Sequence, residues 1–354
     1  MRSTGVIFNT NHELHDYMLK GFPSPESPAR LQRIMQHFRD NKVLENNNCK
    51  VLSPVSASVK DILRVHTTDY FSFVQQRSLN GAGWLGNDTY LCEGSIEVLL
   101  QAVGSVLEAG KAVATGECDH AFAMIRPPGH HAYTNKHSGF CVFNNAAILA
   151  RYLQQIHSCS KIAIVNIDAH ASDGTQEIFN ADPSVLCISV HQTPSDFYPF
   201  KGFIREMGFT PAVGYTLNME MPPEAGNSEY YIFFEEIGLK VLTQFDPDVV
   251  ILECGFDSYY KEKLAKLNLT VDGYYGIVYS ICSRWHTIAL LEGGYHDDIG
   301  LLADVVLQAL AGNRYTKDEV DQMHLLASRQ SSCRRIFENK LNELKNLMSS
   351  YWEI

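Results

Sequence analysis

The chain has 354 residues, 45% of them hydrophobic and only 19% charged, with a formal net charge of −11. That balance allows a sizeable core and excludes wholesale disorder. No basic run stands ready to neutralise phosphates, so no direct nucleic-acid partner is expected, whereas an acidic surface suits a cationic one or simply keeps the protein soluble.

Nine cysteines stand singly, with no C-x-x-C pair, which fits reduced thiols better than a disulfide framework. Met1 to Thr10 lacks the charged-then-apolar pattern of a signal peptide. No window approaches the ~18 apolar residues of a membrane span. A cytoplasmic protein without a membrane partner is the expectation.

In chain order, Gly5–Phe8 is a candidate strand, and Pro28–Phe38 repeats Leu31, Ile34, Met35 and Phe38 at helical spacing. Ser95–Ala109 repeats Ile96, Leu99, Leu100, Val103, Val106 and Leu107, and Gly110 is a plausible stop. Strand Ala121–Ile125, helix Asn144–Ile156 and strands Lys161–Ile167 and Val185–Val190 follow. Helix Ser228–Gln244, capped by Asn227 or Ser228, leads to strand Val249–Glu253, helix Val271–Trp285 and strand Thr287–Leu291. Ile336–Met348, with Phe337, Leu341, Leu344 and Leu347, predicts a final helix at about 335–349 packing on the body. Several strands are near-continuous in Ile, Val, Leu, Ala and Cys, as parallel strands buried on both faces are. Alternating β and α predicts an α/β protein with a parallel sheet between two helical layers. Without a linker or repeat, 1–354 is taken as a single domain.

The polar residues gather where strands end. Ala121–Ile125 runs into Arg126-Pro-Pro-Gly-His-His131, Lys161–Ile167 into Asp168-Ala-His170 and Asp173, and Val185–Val190 into His191. Val249–Glu253 runs into Cys254-Gly-Phe-Asp257, and Thr287–Leu291 into Glu292-Gly-Gly-Tyr295. Open parallel sheets bind ligands outside the carboxyl ends of their strands. One Asp or His after a strand is most often a turn or rim residue; five such ends together point to a site.

Asp168 and His170, at i and i+2, would point to one side of an extended segment. Asp257 would arrive from another strand. Three mixed oxygen and nitrogen ligands leave a position open, as at a catalytic zinc. His130 or His131, oriented by Asp173, could serve as base and acid. Tyr295 could reach a developing oxyanion, although taken alone it would be a packed tyrosine with a solvated tip.

These motifs resemble the histone deacetylase superfamily. The matching pieces are Arg126-Pro-Pro-Gly-His-His-Ala132, Ser138-Gly-Phe-Cys-Val-Phe-Asn-Asn145, Ile167-Asp-Ala-His170, Asp173-Gly-Thr-Gln176, Gly255-Phe-Asp257 and Glu292-Gly-Gly-Tyr295, spanning roughly Val6 to Gly312 in the family's order. Glu26-Ser-Pro-Ala-Arg30 and Asp196–Gly202 are most similar to the acetylpolyamine amidohydrolase and class II branch.

The resemblance implies an arginase/deacetylase-like three-layer α/β fold and one zinc on Asp168, His170 and Asp257. It implies His131 as general base, His130 as electrostatic or acid partner and Tyr295 as carbonyl polariser. Gly139, Phe140 and Tyr198 would line an acyl-lysine channel with Gly293 and Gly294, and Leu264 would sit at its rim. Potassium is implied at an inner site formed by the side chains of Asn166 and Ser189 and the carbonyls of Asp168, His170 and Val190. An outer site would use carbonyls around Phe179, Asp182, Val185 and Tyr215. The implied partner is a cationic acylated substrate, an acyl-lysine or an acetylpolyamine. Polyamine-type members also imply a homodimer, with Arg77–Tyr90 as the candidate contact.

Three positions depart from the family. Asn166 replaces the usual Asp behind His130, Ala171 replaces a common His, and Ser172 replaces Gly. Asn166 lowers the expected charge at both His130 and the inner ion site. A two-manganese ureohydrolase is poorly supplied, because position 172 is Ser and position 255 is Gly. A non-catalytic pocket that reads acylated ligands stays open, favoured by Asn166 and Ala171 and opposed by the retained His131, Asp173 and Tyr295.

Overall fold

The computed structural model describes residues 2–18, 21–46, 49–81, 83–86, 88–315 and 331–354. Among the described residues ten strands form in chain order: β1 (Thr4–Phe8), β2 (Cys49–Val51), β3 (Gly83–Trp84), β4 (Tyr90–Leu91), β5 (His120–Met124), β6 (Ile162–Asn166), β7 (Val185–Gln192), β8 (Thr216–Met221), β9 (Val249–Cys254) and β10 (Thr287–Leu291). Eight make one sheet in the order β2-β1-β5-β10-β9-β6-β7-β8, with every pairing parallel. β3 and β4 form a separate antiparallel pair.

The two-sided burial expected of parallel strands follows from residue parity. In β5, Phe122 and Met124 enter the core beneath helices Ala29–Asp40, Val271–Cys282 and Ile299–Ala311. Its Ala121 and Ala123 enter the opposite core with helices Thr68–Leu79, Ser95–Ala114 and Asn145–His157. Leu290, in central β10, is completely buried; truncating it to Ala would cost about 2–5 kcal/mol. The final helix, Ser331–Met348, buries Phe337, Leu341, Leu344 and Met348 against the first core.

Three local expectations are corrected. Helix Ser95–Ala114 runs through Gly110 instead of stopping there. A Cβ at Gly110 would meet Leu149 Cδ1 at 2.3 Å, so this glycine lets two helices approach closely. The cap near 227 is Gly226, whose N–H donates to the Glu229 carboxylate at 3.1 Å. Asn227 is committed elsewhere, bonding the Thr270 hydroxyl and N–H at 2.7 and 3.0 Å. The single helix expected over 228–244 is two α-helical stretches joined by a π turn at Phe234–Gly238. Edge strands β2 and β8 were not expected. β8 reads Thr-Leu-Asn-Met-Glu-Met, and its Asn218 and Glu220 interrupt the apolar run. Among the described residues no helix is long and apolar enough to cross a membrane.

Candidate active site

The carboxyl ends of β5, β6, β9 and β10 put their following loops over one point. Asp168 and His170 lie in bends beyond β6, not in extended chain, yet their ligand atoms converge. His170 Nδ1 stands 3.0 Å from Asp168 Oδ1 and 2.9 Å from Asp257 Oδ2. Backbone donors aim the carboxylates: Gly293 N–H to Asp168 Oδ2 at 2.9 Å, and Ala169 N–H to Asp257 Oδ1 at 2.7 Å. Asp257 Oδ2 is buried and accepts no hydrogen bond.

Burial and the neighbouring Asp168 charge push Asp257 up to about 6. Against burial, Asp257 and Asp168 push His170 up to about 10. Two buried carboxylates and an imidazole nitrogen thus share a space that favours a cation, and an orphaned buried oxygen is the expected mark of such a site. A second set, His130, Cys141 and Glu292, is also close-packed. Burial raises both the Cys141 thiol and the Glu292 carboxyl well above their ordinary values, so that set offers no anionic ligand.

The tandem histidines are held by their backbone. Glu292 accepts the N–H groups of Gly129 and His130 at 2.7 and 3.2 Å, and the first amides of helix Asp173–Phe179 hold the His130 carbonyl. The ring centroids are 4.0 Å apart. His131 Nδ1 donates to Asp173 Oδ1 at 2.6 Å. The other Asp173 oxygen accepts the Tyr133 hydroxyl, which in turn accepts Lys201 Nζ at 2.9 Å. Against burial, the bonds from His131 and Tyr133 hold Asp173 below the usual carboxylate range. Burial, then the neighbouring His131, push His130 down to about 3. Its Nδ1 faces Asn166 Oδ1 at 3.4 Å. Asn166 Nδ2 donates to the His170 carbonyl at 2.9 Å and to Ser189 Oγ at 3.0 Å.

Tyr295 rests on a buried charged layer. Arg30 lies over its ring at 4.9 Å, donates to the Gly294 carbonyl at 2.8 Å and also bonds the Glu292 carbonyl. Glu26 is buried between Arg30 and Arg126, and takes a two-pronged bond from Arg126 at 2.9 and 2.7 Å. Against burial, Arg126 and Arg30 hold Glu26 below its usual range. Burial keeps the Tyr295 hydroxyl well above its ordinary value, hence a proton donor.

A cavity of ≈ 270 Å³ joins these groups. His130, His131, Asp168, His170, Asp257, Gly139, Phe140, Tyr198, Leu264, Gly293 and Tyr295 all line it. Gly294 does not; its carbonyl is turned to Arg30. Asp173, Asn166 and Ser189 stand behind the lining. Gly139 has φ +52°, and a Cβ there would meet His131 Cδ2 at 2.4 Å. Val190 pairs with Met219 within the sheet. The outer set keeps its carbonyls in local bonds: Phe179 accepts from Asp182, Asp182 from Val185, and Tyr215 from Cys187.

Three lining residues were not singled out from sequence. Phe197 stacks on His170 at 4.6 Å, Pro128 lies beside the tandem histidines, and Asp88 accepts the Gly139 N–H at 3.2 Å. Asp88 belongs to Arg77–Tyr90, the expected dimer contact, so part of that segment faces the chain's own cavity; residues 82 and 87 lie outside the described residues.

The Histone deacetylase domain family matches residues 24–311. A protein named probable deacetylase from Archaeoglobus fulgidus is 34% identical, with 99% of each chain covered. Histone deacetylase 6 of Caenorhabditis elegans is 29% identical over 99% of this chain, which spans only 38% of that protein. The crystal structure of the HDA15 HD domain superposes with a TM-score of 0.88 at 29% identity, covering 99% of this chain and 97% of that one. By sequence and by fold, the chain belongs to the histone deacetylase family.

Proposed function

We propose that the chain is a zinc-dependent amidohydrolase that removes acetyl or other acyl groups from the amine of an acyl-lysine or a related cationic substrate. The observation that carries this is the convergence of Asp168, His170 and Asp257 on the wall of a cavity that also receives His131 and Tyr295. Zinc on those three residues would supply Lewis acidity toward the scissile carbonyl and lower the pKa of a coordinated water toward ~7.

The protein's own groups then have distinct tasks. His131, with Nδ1–H held by Asp173, offers Nε2 to take a proton from the attacking water and to return one to the leaving amine. Tyr295 donates to the oxygen that gains negative charge. His130 stays neutral beside it. Gly139, Phe140 and Tyr198 enclose the acyl chain, Gly293 keeps Asp168 in place, and Leu264 meets the substrate at the rim. Asp88 at the cavity wall supports a cationic substrate, while the apolar Leu264 adds no charge for a polyamine's second amine. An acetylpolyamine is therefore the second reading.

The test is turnover of a fluorogenic acetyl-lysine amide by zinc-replete protein, with its loss on chelation. Tyr295→Phe should retain zinc and lower kcat by about 10²–10³. Full zinc occupancy with no turnover of acetyl-lysine peptides, acetylputrescine, acetylspermidine or longer acyl-lysines would leave the non-catalytic binding module instead. Comparable rates across that panel would remove the polyamine specialist.

A further inference from the structure

The hydrogen bonds behind His130 can be assigned without ambiguity. The Gly202 carbonyl only accepts, so His191 Nε2, 2.9 Å away, carries a proton. Burial pushes His191 down to about 4, so its ring is neutral and its Nδ1 accepts. Ser189, 2.8 Å from that nitrogen, must therefore donate its only proton to it. The two lone pairs of Ser189 Oγ face Asn166 Nδ2 at 3.0 Å and the Ser172 N–H at 3.4 Å. The His170 carbonyl likewise only accepts, which fixes the amide's NH₂ end toward it at 2.9 Å and its oxygen toward His130 Nδ1. His130 Nδ1 must then donate. From Gly202 to His130 every proton in the chain has one place.

An alkali cation is held by oxygen lone pairs that replace its hydration shell. The inner potassium set counted on the side chains of Asn166 and Ser189 and the carbonyls of Asp168, His170 and Val190. Here Asn166 presents N–H groups to that space, and the Ser189 lone pairs and the His170 carbonyl are turned to those N–H groups. All three groups are buried or half-buried, with Asn166 fully so. The residues present do not fit the ion.

We propose that the Asn166 carboxamide is a built-in replacement for an inner monovalent cation. Its two N–H groups supply the positive ends that tie the metal-bearing loop, through the His170 carbonyl, to β7, through Ser189. Its oxygen fixes His130 as the Nδ1–H tautomer. The inner site takes no potassium, and the loop keeps its shape without one. This concerns how the loop is held, and it stands whether or not the chain hydrolyses acyl amines.

Anomalous diffraction from crystals equilibrated in rubidium chloride tests it. Wild-type protein should show no rubidium peak within ligand distance of the His170 carbonyl. A peak there would overturn the proposal, and the wild-type density decides this whether or not a variant crystallises. Asn166→Asp returns a carboxylate to the space and should gain a rubidium peak at that point. An Asp variant whose density stays empty would overturn the amide as the excluding group.

Discussion

Two histidines stand side by side with rings 4.0 Å apart, and the chain treats them differently. His131 is backed by a carboxylate, then a phenol, then the lysine Lys201. His130 is backed by an amide, then a serine, then a second buried imidazole that ends on a backbone carbonyl. The first chain contains an anion and ends on a lysine; the second contains no charge at all. Identical side chains in one cavity thus meet different surroundings behind Nδ1, which is the basis for the separate roles proposed for them.

The sharpest way to break this contrast is to neutralise the charged side. Asp173→Asn should lower kcat/KM by about 10³, since it removes the anion behind His131. Zinc content should be unchanged. An equal loss in Asn166→Ala alone would mean that the two chains are equivalent.

Acid offers the next test, because the neutral imidazoles resist protonation. Burial is the leading cause that holds His15 and His130 down to about 3, and His66, His120 and His191 to about 4. Between pH 6.5 and those values the unfolded chain binds protons that the folded chain refuses. Stability therefore falls as pH falls, by up to about 1.4 kcal/mol per pH unit for each histidine. Asp173 acts with the same sign: its folded value is depressed, so its contribution is present above about 3.9 and is lost as pH drops through the folded value. The raised carboxyls of Asp257, Glu253 and Glu292 oppose this, because they hold protons in the folded chain across the same window. With the histidines more numerous, thermal melts should still show Tm falling from pH 6 to 4, and a Tm that rises instead would contradict the neutral histidines.

Asn166→Ala should then cost about 1–3 kcal/mol in urea unfolding, because it leaves the His170 carbonyl and the His130 Nδ1–H short of a partner. An unchanged midpoint would show those groups finding other partners. The smallest effect is expected from Tyr133→Phe. Loss of one hydrogen bond to Asp173, worth about 1 kcal/mol, should lower kcat/KM only a few-fold and move the acid limb of its pH profile upward.

Much of this was legible in residue order. Four strand ends delivered His130, His131, Asp168, His170, Asp257 and Tyr295 to one cavity, as parallel topology requires, while the fifth expected end, His191 of β7, stands behind the lining. What stayed hidden depends on distance in sequence. Arg30 and Glu26 support the Tyr295 loop from more than 260 residues away, and no local pattern announces a buried ion pair. Asp88 reaches the cavity from the short connection between β3 and β4, where an Asp reads as an ordinary turn residue. Asn166 was visible as a substitution, but which end of its amide faced which neighbour needed the His170 carbonyl and the Ser189 hydroxyl in place.

The order of the sheet has a consequence for how the protein comes together during synthesis. β10, last of the strands in the chain, lies between β5 and β9. Until it is made, β2-β1-β5 and β9-β6-β7-β8 have no strand joining them. The tandem histidines follow the first group, and Asp168, His170 and Asp257, the proposed zinc ligands, follow the second. A growing chain that folds from its N-terminus therefore exposes two long sheet edges late into translation, a state prone to mispairing and aggregation. Insertion of five residues, Thr287–Leu291, closes both edges and joins the two halves of the cavity. Proline placed in this strand should trap the nascent protein as a pair of unjoined half-sheets, dependent on chaperones for solubility.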